Sequence, residues 1–180
     1  MNVWINAALY QATWIAAIGG AARGWWWLGP LCAVLFAAWQ LLGSSRNRTD
    51  PLLLLYAVLI GFAVDSAFAA SGLIQYNAAV PWPQVAPVWI VALWASFALT
   101  LNHSLAYLKA HPSVAAALGA LGAPLAYVAA ARAGALVLAA PQMTTVLVLG
   151  AAWALLTPAL GLLAQRLGAP PLRALREAPR

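Results

Sequence analysis

Charge is what this sequence has least of: nine Lys or Arg and three Asp or Glu make up 7% of its 180 residues. A soluble domain carries about 25% charged residues to keep its surface hydrated, and a core hides only part of an apolar chain from water. With 65% apolar residues, too few polar side chains remain to clothe a wetted surface, so the surrounding solvent is expected to be lipid. That excludes a cytosolic enzyme, a disulfide-stapled secreted domain, a disordered tail and, despite a net charge of +6, a nucleic-acid binder. Cysteine is almost missing as well. The lone Cys32 cannot form an internal disulfide and says nothing about compartment.

What the chain has in excess is tryptophan, ten residues of it, the amphipathic ring that membrane proteins place at the two bilayer interfaces. It also has long uncharged runs. A helix crossing about 30 Å of hydrocarbon needs roughly 20 mostly apolar residues. Six such segments lie between punctuating Gly, Pro and charge, at 2–20, 25–43, 52–74, 87–107, 112–131 and 143–164. Pro81, Pro83 and Pro87 divide the third from the fourth, because proline does not sustain a helix interior. Arg132, Gly134 and Pro141 separate the fifth from the sixth, and the apolar stretch from Gly134 to Ala140 is expected in the interface. The first segment lacks a basic flank and reads as a mature helix rather than a secretory signal.

The expected fold is therefore an all-α membrane protein, a bundle of six transmembrane helices over residues 1–165 with a basic cytoplasmic tail at 166–180. Six spans put Arg46, Arg48, Lys109, Arg166, Arg173, Arg176 and Arg180 on one side and Arg23 and Arg132 on the other. The positive-inside rule then places both termini of this multi-pass protein in the cytoplasm. Trp25, Trp26, Trp27, Trp82 and Trp89 fall at the outer interface, Trp4 and Trp39 at the inner one. Arg173, Arg176 and Arg180, at spacing three and four, form a short basic face suited to anionic lipid headgroups.

Inside lipid the informative residues are those that are expensive to bury. Asp65 is the acidic residue within a span, about 20 Å along the third helix from its cytoplasmic boundary. Gly61, Ala69 and Gly72 share its face, and small-residue faces pack against other helices, so Asp65 should point inward. The preferred partner is Arg132 at the outer end of the fifth span. The alternative is a neutral Asp65 hydrogen-bonded to Tyr127 or Ser66. In the fourth span Ser96, Thr100, His103 and Tyr107 follow helical spacing, beside Asn102, in the cytoplasmic half and at a different depth from Asp65. Gln11 and Trp14 share a face of the first span. In the fifth span Gly122, Ala126, Ala130 and Gly134 repeat every four residues, as do Ala115, Gly119 and Ala123; both read as packing faces. The sequence carries no metal-ligand motif, nucleophile elbow, phosphate loop or paired catalytic carboxylates. No metal or cofactor is expected.

Four segments resemble the bacterial integral membrane proteins of the DUF2878 family, a domain of unknown function: Asn6 to Gly20 (NAALYQATWIAAIGG), Asp65-Ser66 after an apolar run, Thr100 to Leu108 (TLNHSLAYL) and Gly122 to Ala135 (GAPLAYVAAARAGA). Ala123 and Ala130 stand where the family is expected to have glycine. The resemblance implies a compact inner-membrane protein and no established activity.

Three functions are compatible with these residues. The first is a protein whose buried polar layer, formed by Gln11, Asp65, Asn102, His103, Tyr127 and Arg132, binds a lipid-like or small amphiphilic ligand or a membrane partner. The second is a membrane-embedded lipid-modifying enzyme with catalytic candidates His103, as acid or base, and Asp65. The third is a small transporter coupled to protons through Asp65 or His103.

Overall fold

The computed structural model describes residues 3–43 and 47–169. Among them are seven helices, α1 (Val3–Ala21), α2 (Leu28–Leu42), α3 (Asp50–Ala70), α4 (Val88–Leu101), α5 (Tyr107–Ala110), α6 (Pro112–Arg132) and α7 (Gln142–Gly168), with two short strands, β1 (Ile74–Tyr76) and β2 (Leu136–Leu138). Three helices, α3, α6 and α7, are long and apolar enough to cross a membrane, while α2 and α4 are apolar but shorter. The chain is helical as expected, with one addition. β1 and β2 pair antiparallel, Ile74 opposite Leu138 and Tyr76 opposite Leu136.

The ribbon exposes an internal repeat. α3 and α6 are both 21 residues long and both carry Pro in their first turn, where the missing N–H is tolerated. In each, a single residue separates the helix end from a glycine with positive φ, Gly72 or Gly134, the left-handed turn that terminates many helices. A three-residue strand with a buried, exposed, buried pattern follows in each case, and then a helix packed back on the first. The units α3–β1–α4 and α6–β2–α7 thus run in the same direction and meet through their strands.

Three segments differ from the sequence reading. The third helix ends at Ala70 rather than residue 74, because the chain turns at Gly72 into β1. The fourth ends at Leu101 rather than 107, and residues 102–106 form turns. Ser96, Thr100, His103 and Tyr107 therefore do not form one stripe. With the helix ended there, Asn102 and His103 both reach Asp50 while Ser104 reaches Asn6 on another helix. The last helix runs on to Gly168, so Arg166 is helical; Arg173, Arg176 and Arg180 lie outside the described residues. Trp89, expected in the outer belt, is fully buried.

α4 is the central helix, with eleven of its fourteen residues buried, which is why its apolar residues show no preferred face. α1 and α2 pack against it on one side and α3 on another, while the tightly paired α6 and α7 complete the bundle. Large apolar side chains point outward, among them Leu35, Leu59, Leu125 and Leu155, the last 73% exposed. A water-soluble surface rarely carries so many large exposed apolar side chains. Trp25, Trp26, Trp27 and Trp82 are exposed near the ribbon, and Trp4 and Trp39 near the opposite end of the bundle, the far end.

Candidate functional site

Two buried polar clusters and one cleft hold nearly all the polar chemistry of the interior. The first cluster surrounds Asp65, which is completely buried on α3. Its Oδ1 accepts hydrogen bonds from the Tyr127 hydroxyl at 2.6 Å and from the Tyr76 hydroxyl, and its Oδ2 accepts one from Trp94 Nε1 at 2.6 Å. Three elements converge here: α6 brings Tyr127, β1 brings Tyr76 and α4 brings Trp94. Close approach of α4 is possible because Gly61 faces the Trp94 indole; a Cβ there would overlap the ring. Burial pushes the Tyr76 hydroxyl well above its ordinary range, so it stays protonated and donating.

Arg132 takes no part in this cluster. It is exposed, and among the described residues the ion pair that forms is His103 with Asp50, not Arg132 with Asp65. The expected Asp65–Arg132 pair is thus absent: Tyr127, five residues before Arg132 on α6, reaches Asp65 instead, and three neutral donors already occupy the carboxyl group. Tyr127 is the partner named by the alternative reading. Ser66, the other residue considered, instead accepts the Ala86 N–H at 2.9 Å.

The cleft, about 460 Å³, lies between α1, α4 and the α6–α7 pair. Trp94, Tyr127 and Trp153 form one wall, with Trp94 and Trp153 stacked at 4.5 Å; Asp65 sits behind that wall. Trp153 Nε1 is buried beside the Tyr127 hydroxyl without completing a hydrogen bond. Gly122, Ala126 and Ala130 of one small-residue face line the cleft together with Gly119 and Ala123 of the other. Packing against a helix is clear only for part of the second face, where Ala115 is fully buried and Gly119 abuts the Trp153 backbone and Thr157 of α7. Gln11 is exposed at the rim.

The second cluster is at the far end. His103 Nε2 lies 2.8 Å from Asp50 Oδ2 and 2.6 Å from Gln40 Nε2. Asn102 Nδ2 donates to Asp50 Oδ1 at 2.9 Å, and Lys109 Nζ donates to Asn102 Oδ1 at 2.8 Å. Asn6 on α1 bonds Gln40, the Leu99 carbonyl and Ser104. Loops and helix ends at 40, 50 and 102–109 are thereby tied together. Asp50 is missed by sequence reading because Asn47-Arg48-Thr49-Asp50-Pro51 looks like an ordinary helix start, with acid in the first turn. Lys109 reads only as a loop cation, and nothing in the sequence around Gln40 sets it apart.

Of the six residues singled out as ligand-binding, the structure places Gln11 and Tyr127 along the cleft, Asp65 behind it, Asn102 and His103 in the far-end cluster, and Arg132 outside both. No group of three or more His, Cys, Asp or Glu is placed to hold a metal ion among the described residues. Residues 3–159 match the model of a protein family described as "Protein of unknown function (DUF2878)". The chain belongs to the DUF2878 family. No curated protein and no solved structure matches it. The match ends inside α7 and takes in the cleft and both clusters of this DUF2878 protein.

Proposed function

We propose that this DUF2878 protein is a multi-pass protein of the bacterial inner membrane, crossing the bilayer six times with both termini in the cytoplasm, and that its cleft holds a lipid-like or small amphiphilic ligand. The orientation is supported by the basic residues: the six-span reading of the sequence puts seven on one side and two on the other, and of the described ones Arg48, Lys109 and Arg166 stand at the far end and Arg23 and Arg132 at the ribbon end, the asymmetry of cytoplasmic loops. α1, α2 and α4 would complete the six crossings beside α3, α6 and α7. The basic tail would rest on anionic headgroups.

The observation that carries the ligand reading is the cleft itself. At about 460 Å³ it falls within the roughly 300–1,000 Å³ of small-molecule sites, which are mostly apolar with a few polar groups for orientation. Aromatic rings and the small face of α6 line it, and Gln11 stands at the rim with no hydrogen-bond partner among the described residues. Native mass spectrometry of the protein released from nanodiscs of cell lipid tests this. A bound species is expected in the parent protein and is expected to vanish in Ala126→Trp, whose indole fills the cleft. Bare protein, or a species indifferent to Ala126→Trp, overturns the reading.

A further inference from the structure

The polar groups along the cleft divide into those already engaged and those left over. Trp89 Nε1 donates to the Asn77 carbonyl at 2.9 Å, while Trp94 Nε1 and the Tyr127 hydroxyl donate to Asp65. Thr157 holds its hydroxyl against Gly119 of α6, and Trp153 Nε1 is sealed beside Tyr127. What is left belongs to α1. The Tyr10 hydroxyl, the Gln11 amide and Trp14 Nε1 make no hydrogen bond to any described residue, and the Tyr10 and Trp14 groups are not sealed. All three residues line the cleft, and at spacing three and four they share one face of the helix. The Tyr10 ring leans on Phe97 of α4 at 6.3 Å.

Counted from Val3 at 1.5 Å per residue, these groups stand about 10–17 Å along a helix about 28 Å long, near the middle of the bundle. A hydrogen-bonding group left facing hydrocarbon at that depth is costly. Trp14 can only donate, and Tyr10 and Gln11 each have a hydrogen to donate, so the matching partner is an acceptor. It is also uncharged. No Lys, Arg, His, Asp or Glu lines the cleft, and an ion buried without a counter-charge is disfavoured, which rules against a phosphate, carboxylate or ammonium head. Toward the ribbon the lining residues Ile18, Trp89, Ala130 and Leu136 are all buried, so that end is closed and apolar.

We propose that the cleft recognises an uncharged lipid by its carbonyl-bearing end, whose oxygens accept hydrogen bonds from Tyr10, Gln11 and Trp14. The hydrocarbon runs along Gly122 and Ala126 of α6 toward the closed ribbon end; Gly122 has open space where a Cβ would stand. This inference rests on the reading of the cleft as a ligand site and adds the chemistry of the ligand. A carbonyl suits an indole that can only donate, because it brings no hydrogen that would need an acceptor in turn. An acyl ester and an isoprenoid quinone share this chemistry.

The test loads the full chain, stripped of bound lipid in detergent, with methyl oleate, decylubiquinone or oleate, and reads binding by native mass spectrometry. One or both neutral probes are expected to bind and oleate is not; methyl oleate alone identifies an ester, decylubiquinone alone a quinone. Binding should vanish in Ala126→Trp and weaken about two- to tenfold in each of Tyr10→Phe, Gln11→Leu and Trp14→Phe, the equivalent of one lost hydrogen bond. In the parent protein, the infrared carbonyl stretch of the bound neutral probe should fall below its value in detergent alone, a readout that needs no variant. Oleate binding as tightly as the neutral probes, an unshifted stretch, or binding that responds to Ala126→Trp but to none of the α1 substitutions overturns the carbonyl assignment. A cell lipid that vanishes in Ala126→Trp yet yields to neither neutral probe overturns that assignment and leaves the ligand site standing, whereas a cleft that holds nothing overturns both.

Discussion

At the scale of the residue, the most consequential side chain is Asp65. A carboxyl group moved into an apolar interior is tolerated only when its oxygens are occupied, and here two tyrosines and a tryptophan from three elements occupy them. Removing the acceptor leaves three buried donors unmet, at about 1–3 kcal/mol each before relaxation. Asp65→Ala should therefore lower the thermal unfolding midpoint in detergent far more than Tyr127→Phe, which loses one bond and about 1 kcal/mol. Arg132→Ala tests the converse. Because Arg132 is exposed and unpaired with Asp65, its removal should change stability by no more than about 0.5 kcal/mol; a loss comparable to Asp65→Ala would restore an Asp65–Arg132 interaction.

At the scale of the element, α4 decides how the others stand. Its neighbours approach closely only where a side chain is missing, and Gly61 is the clearest case, since the Trp94 indole occupies the space of a Cβ. Gly61→Leu should separate α3 from α4, withdraw the Trp94 N–H from Asp65 and cost about 3 kcal/mol or more, at the upper end for overpacked cores. Gly122→Ala, on the cleft face of α6 with open space around it, should instead be neutral or slightly stabilising, because alanine is the better helix former. Thermal melts of the two variants side by side check both, and an equal loss would contradict the different surroundings assigned to these glycines. The turn after Leu101 matters equally: by ending the helix it lets Asn102 and His103 reach Asp50 of α3, His103 also Gln40 of α2, and Ser104 Asn6 of α1.

At the scale of the whole molecule, the β1–β2 ribbon and the far-end cluster fasten opposite ends of the bundle, with the cleft between them. The proposed orientation makes a direct prediction for intact cells. In a Cys32→Ala background, a cysteine placed at exposed Trp82 should react with an impermeant maleimide added outside, while one at exposed Ala110 should react only after permeabilisation. The reverse pattern would invert the topology.

Much of the fold was legible from composition and periodicity. Scarce charge and six long apolar segments require helices, because a chain deprived of water must satisfy its backbone hydrogen bonds within each segment. Asp65 and Tyr127 could be singled out for the same reason: polar groups in a greasy run must find company. What the sequence could not disclose was which company. Whether Asp65 met Arg132 or Tyr127 depended on the rotation and depth of α3 against α6, and the pairing of Asp50 with His103 spans 53 residues. Such choices rest on the mutual packing of whole helices, with hydrogen bonds of about a kcal/mol deciding between arrangements of similar hydrophobicity. Local chemistry settled that the polar groups would be hidden; three-dimensional packing alone decided that they gather in two clusters with an open cleft between α1 and α6.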